Sequence, residues 1–142
     1  MSSPPVVLDT NVFVAAGFSP RSASARIVDA VKQARLQMVW NDGTRREIER
    51  IVQRIPPLRR QPVADLFRPE HQVVAATHPE QFGKVPDPDD RKFAALARAA
   101  GAVLISNDKH LRANRDHLDV PVLTPSEFWR VQTLGSEPPR NV

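Results

Sequence analysis

The sequence predicts an α/β fold, a largely parallel sheet with helices on both faces, on three observations. Short apolar runs such as Val6-Val7-Leu8 and Ala102-Val103-Leu104-Ile105 alternate along the chain with segments of helical period. Both of these runs end on acid-bearing turns, at Asp9 and at Ser106-Asn107-Asp108, and ligands of open α/β sheets bind at that strand end. The length of 142 residues suits one domain able to bury a core of its own.

Taken in order, strand 6–8 delivers Asp9 to its carboxyl end. Residues 10–16 turn into a short helix broken by Gly17 and Pro20. Ser22 or Ser24 caps a helix on which Ala23, Ile27, Val31 and Ala34 recur with helical period. Residues 36–40 form a second strand. Asn41-Asp42-Gly43-Thr44 has turn and capping chemistry and introduces a helix over 45–55, stopped by Pro56-Pro57, with Ile48, Ile51, Val52 and Ile55 on one face. Arg46, Arg50 and Arg54 form a stripe on its far side, and Glu47 falls at the border of stripe and apolar face.

Residues 62–67 predict a further short helix. Residues 71–77 are ambiguous, with Val73-Val74-Ala75-Ala76 long enough for a strand, and 77–88 reads as an irregular loop. Asp89 or Asp90 opens the most strongly patterned helix, 91–100, with Phe93, Leu96, Ala97 and Ala100 inward and Gly101 as its stop. Strand 102–105 runs into Ser106-Asn107-Asp108. Residues 120–123 read as an edge strand, where Pro121 is tolerated, and a closing helix starts at Thr124. The domain is expected to span 1–132, and 133–142 to be a flexible tail with little to bury.

Composition narrows the function classes. The chain has no cysteine, so disulfides and thiolate metal sites are excluded and a reducing cytoplasm is the natural compartment. His71, His78, His110 and His117 match none of the usual zinc spacings. No apolar run reaches the ~18 residues of a membrane span, and the first residues lack the pattern of a signal peptide. The net charge of +4 suits a polyanionic partner.

Four acids from remote positions are expected at one edge of the sheet. Asp9 and Asp108 follow strands, Asp90 starts the helix before the second of these, and Glu47 lies in the first turns of another helix. Two carboxylates about 4 Å apart repel by roughly 4 kcal/mol at an effective dielectric of 20, so such a cluster needs protons or a cation. Oxygen ligands without His or Cys favour Mg²⁺ or Mn²⁺, whose chemistry includes hydrolysis of phosphodiesters. The arginine-rich segment 45–68, with Arg45, Arg46, Arg50, Arg54, Arg59, Arg60 and Arg68, is suited to neutralising a nucleic-acid backbone nearby, most directly at Arg46, Arg50 and Arg54.

Leu8-Asp9-Thr10-Asn11-Val12, Thr44-Arg45-Arg46-Glu47-Ile48, Pro86-Asp87-Pro88-Asp89-Asp90-Arg91-Lys92-Phe93 with Ala97, and Ser106-Asn107-Asp108-Lys109-His110-Leu111 resemble the four acidic motifs of the PIN-domain ribonucleases. More narrowly they resemble the bacterial toxins of toxin-antitoxin pairs related to the VapC group. The likeness runs from about Val6 to Trp129 and is loose over 56–85. It implies a PIN-like five-stranded parallel sheet, Mg²⁺- or Mn²⁺-dependent cleavage of RNA by one or two ions, a homodimer, and a cognate antitoxin protein as partner. Carried over by position, Asp9, Glu47, Asp90 and Asp108 are the catalytic and metal-binding acids, with Asn11 and Ser106 as polar helpers. Asp87 and Asp89 compete with Asp90, which fits best because Phe93 and Ala97 follow at three and seven positions.

Each acid also has a plainer explanation. Asp9 can be a turn residue, Glu47 can pair with Arg50, Asp89 or Asp90 can serve as N-cap, and Asp108 can cap the turn over 107–111. Trp40 and Trp129 are expected as core or interface aromatics. An aspartyl-phosphate phosphatase needs a second Asp where this chain has Asn11, and none of the 5 glycines forms a dinucleotide-binding turn. The remaining rival is a PIN-like module that binds RNA or protein without cutting.

Overall fold

The computed structural model describes residues 4–59, 63–113 and 115–136. Arg60, the start of the helix expected at 62–67, and 137–142 of the expected tail lie outside them. The chain forms β1 (Val6–Leu8), α1 (Thr10–Phe18), α2 (Ala23–Lys32) and α3 (Asp42–Arg54), then single 3₁₀ turns up to α4 (Pro88–Ala100). It continues as β2 (Val103–Ile105), α5 (Lys109–Ala113), β3 (Val122–Leu123) and α6 (Pro125–Ser136).

The regular sheet has three strands in the order β1-β2-β3, all parallel. Two isolated parallel bridges, Val6 to Met38 and Trp40 to Gln72, extend it beyond β1. The five strands expected are therefore three strands and two bridged rows. Residues 36–40 fall short of a strand because a turn with Ala34 at φ 60° precedes them and the cap of α3 follows at Asn41. At 73–76 only Val73 reaches the sheet, donating its N–H to the Trp40 carbonyl at 2.7 Å, while Val74 is 88% exposed and has no core to enter. All three residues of β1 are buried, so both faces of that strand are covered. Helix α4 packs on β1 and β2, α5 and α6 on β3, and α1 on α2 and α3.

Several helix ends differ from expectation, each for a local reason. Helix α1 continues through Gly17 to Phe18, closing when the Ser19 N–H bonds the Ala15 carbonyl. Ser22 caps α2 by accepting from the Ala25 N–H at 3.1 Å. Helix α3 starts at Asp42 rather than 45, because the side chains of Asn41 and Thr44 each accept the other's backbone N–H in a capping box. Helix α4 starts at Pro88, since proline suits the first helical position and the Asp87 carboxylate accepts the Asp89 N–H at 2.9 Å. Neither Asp89 nor Asp90 is its cap. Gly101 ends α4 in the left-handed region at φ 62°, as expected of a terminating glycine.

The helix expected at 62–67 is a single 3₁₀ turn over Ala64–Leu66, and the loop at 77–88 contains another over Pro79–Phe82. Helix α6 runs past Gln132 to Ser136. Trp40 is buried, donates its indole N–H to the Arg68 carbonyl at 2.8 Å, and meets Phe67 edge to face. Among the described residues no helix is long and apolar enough to cross a membrane.

Candidate active site

Sheet register builds the first half of the site. Leu8 lies opposite Ile105, and the ladder runs one step further as the Asp9 N–H bonds the Ile105 carbonyl at 3.0 Å. Asp9 and Ser106 thus leave the carboxyl edge side by side. The Ser106 hydroxyl, fully buried, donates to Asp9 Oδ2 at 2.6 Å and accepts the Asp108 N–H at 2.9 Å. One hydroxyl therefore fixes both the carboxylate that ends β1 and the backbone carrying the acid that follows β2. Asp108 Oδ1 also accepts the Leu111 N–H at 3.1 Å, so this acid starts α5 as well as facing the edge.

Helix packing builds the second half. Glu47 is 7% exposed on α3, where its Oε2 accepts from Thr10 Oγ1 at 2.9 Å across the α1–α3 contact. Its Oε1 makes an ionic contact with Lys92 Nζ at 3.2 Å, without hydrogen-bond geometry. Asp90 enters from the first turn of α4 and is also 7% exposed, while Asp87 and Asp89 beside it are exposed. Its buried Oδ2 has no hydrogen-bond partner among the described residues.

The electrostatics follow from this crowding. Burial pushes the Asp9 carboxyl up to about 6, with the Ser106 and Thr10 hydrogen bonds holding it down and Asp108 and Glu47 adding to the rise. Burial, then the charges of Asp9, Asp108, Asp87 and Glu47, pushes Asp90 up to about 8. The charges of Glu47 and Asp108 thus reach both Asp9 and Asp90.

The fold does not draw every expected residue into this cluster. Asn11 is exposed and its side chain makes no hydrogen bond among the described residues; its neighbour Thr10 contacts Glu47 instead. Thr10 was adjacent to Asp9 in the motif, but only the packing of α1 on α3 reveals its partner. Lys92 lies within the third motif, two positions after Asp90 and three after Asp89, but its contact with Glu47 comes only from the packing of α4 near α3. Glu47 pairs with Lys92 and not with Arg50, and it is Glu49 that meets Arg45 one turn away. Arg46, Arg50 and Arg54 are exposed as a stripe. Arg46 and Arg50 border a cleft of ≈ 290 Å³ with Gly43, Glu47, Asp89 and Lys92.

The donor chemistry fits a hard divalent cation: the acids supply only oxygen, and Asp90, whose buried Oδ2 has no hydrogen-bond partner among the described residues, is held protonated by burial and by its acidic neighbours. As the side chains stand, no group of three or more His, Asp or Glu among the described residues is already gathered to hold an ion. Lys92 on Glu47 and the helix-capping bond of Asp108 show where those oxygens are engaged meanwhile.

A parallel α/β sheet whose carboxyl edge gathers buried acids defines the class of fold and site. The chain belongs to the PIN domain family, which matches residues 5–110. It is similar to an uncharacterised protein of Methanocaldococcus jannaschii, MJ1680, 28% identical over 139 residues that span 87% of this chain and 88% of that protein. Among solved structures it is similar in fold to FitAcB from Neisseria gonorrhoeae, with a TM-score of 0.57, 17% identity, and coverage of 85% of this chain and 98% of that one. FitAB bound to an IR36 DNA fragment is similar at a TM-score of 0.55 and 17% identity, over 84% of this chain and 94% of that one.

Proposed function

We propose that this PIN-domain protein is a Mg²⁺- or Mn²⁺-dependent endoribonuclease that hydrolyses RNA phosphodiester bonds. The observation that carries the reading is the buried, unpartnered Asp90 oxygen among three other acids at the carboxyl edge of the sheet. Asp9 and Asp108 would hold the principal ion, held in register by Ser106, while Asp90 and Glu47 would hold a second ion or orient the attacking water. A bound divalent ion supplies Lewis-acid polarisation of a phosphoryl oxygen and a more acidic water. Thr10 keeps Glu47 turned toward the cluster, and Asp90 carries a proton near neutral pH until a cation offsets its neighbours. Arg46, Arg50 and Arg54 would contact the RNA backbone beside the acids.

The motif resemblance further supports a toxin of a cytoplasmic toxin-antitoxin pair, acting as a homodimer and restrained by a cognate antitoxin protein. FitAB, a neighbour in fold, was solved bound to a DNA fragment, so DNA is a control substrate for the RNA reading. Purified protein incubated with RNA is expected to cut in Mg²⁺ or Mn²⁺ and not in EDTA, with cleavage lost in Asp9→Asn and Asp108→Asn. Equal cleavage by wild type and both variants would trace the activity to a contaminant and sink the proposal.

A second reading, a non-catalytic module that binds RNA or a protein, draws on one observation: Glu47 and Asp108 already have partners within the chain. RNA bound tightly in the presence of metal and left intact across many sequences would favour it.

A further inference from the structure

We infer that Lys92 is a resident cation of the acid site, a positioning residue that holds Glu47 in the metal-free chain and competes with a divalent ion for it. The inference rests on the metal-dependent reading above. Lys92 Nζ lies 3.2 Å from Glu47 Oε1 and 3.8 Å from Asp89 Oδ1, which ties α4 to α3 at the edge where the acids meet. A surface bridge of this kind contributes little, but Glu47 is only 7% exposed, and a carboxylate so enclosed is costly to leave uncompensated.

The two oxygens of Glu47 are held differently. Oε2 takes a directed hydrogen bond from Thr10, whereas Oε1 meets Lys92 by charge alone, without the angles of a hydrogen bond. Such a contact is readily exchanged for another cation. The lysine also has somewhere to go: its side chain is 31% exposed and borders the cleft shared with Arg46 and Arg50. Thr10 keeps the carboxylate aimed while Lys92 supplies a charge that a divalent ion must displace.

The test is Mn²⁺ binding to the full chain stripped with EDTA, followed by the loss of the free-ion signal in electron paramagnetic resonance. Lys92→Gln is expected to bind Mn²⁺ about tenfold more tightly, the size of effect of one charge beside a divalent ion at a partly solvated site. Lys92→Arg should bind like wild type, and the gain of Lys92→Gln should shrink in an Glu47→Gln background. Without metal, Lys92→Gln should melt below wild type, and saturating Mn²⁺ should close that gap. Lys92→Met, which keeps the apolar stem, serves if the glutamine variant fails to fold. Mn²⁺ binding by wild type that neither neutral variant strengthens would overturn the role of Lys92 alone. No Mn²⁺ binding by wild type would overturn the metal-dependent reading and this inference with it.

Discussion

At the scale of single residues, Asp90 is the least compensated group in the site, and its behaviour with pH follows. A carboxyl raised to about 8 in the folded chain keeps a proton that the unfolded chain, near 3.8, has already lost. Folding then binds protons between those values, so this contribution is complete below about pH 4 and is lost as pH rises through about 8; Asp9 adds the same sign, ending near 6. In EDTA, Asp90→Asn should match wild type below about pH 4 and gain on it by roughly 1.4 kcal/mol per pH unit as pH rises to about 8, read as a widening difference in melting temperature in calorimetry. A melting temperature for this variant that stays below wild type throughout would assign Asp90 a structural role. Ser106 has the opposite character, because it is fully buried and serves two partners. Ser106→Ala removes the hydroxyl that bonds both the Asp108 N–H and an Asp9 oxygen and should cost about 1–3 kcal/mol in denaturant unfolding.

At the scale of elements, the start of α4 separates capping from chemistry. Asp87 is exposed and caps the helix, whereas Asp90 is buried one turn in. Asp87→Ala should therefore cost about 1 kcal/mol of stability while leaving most RNA cleavage intact, and Asp90→Asn should do the reverse. Loss of cleavage with Asp87→Ala under conditions where the protein is fully folded would move the role to Asp87. The sequence carried the identity of β1, β2 and most helices, because buried runs and helical periods are written locally. It carried the edge position of Asp9 and Asp108 for the same reason, since each simply follows a strand. The sequence points to Asp89 or Asp90 as the start of α4 because both suit a cap, whereas Pro88 takes the first helical position and passes the cap back to Asp87. Apolarity signals burial, so 36–40 reads as a strand and 73–76 as long enough for one, while the paired length is set by the neighbouring turn and cap and reduces to single bridges at Met38 and at Trp40 with Gln72. Thr10 and Lys92 were illegible because their partner, Glu47, comes from a helix distant in sequence.

At the scale of the whole molecule, the charges are segregated: Asp9, Glu47 and Asp90 lie buried and Asp108 half-buried at the sheet edge, while Arg46, Arg50 and Arg54 face solvent on α3. A polyanion guided by that stripe would present its backbone to the acids only after the arginines had offset part of its charge. Each phosphate contact to a single strand displaces about 0.7 counterion, so the logarithm of affinity should fall linearly with the logarithm of salt. Arg46→Gln with Arg50→Gln, which removes two cations bordering the cleft, should therefore flatten that slope by about 1.4 for single-stranded RNA. Binding should be followed by fluorescence anisotropy in Ca²⁺ or with Asp108→Asn, so that the RNA stays whole. The melting temperature should barely move, since both side chains are exposed. If the double variant binds RNA with the slope of wild type, the stripe is a solvated helix face and the backbone approaches the acids from another side.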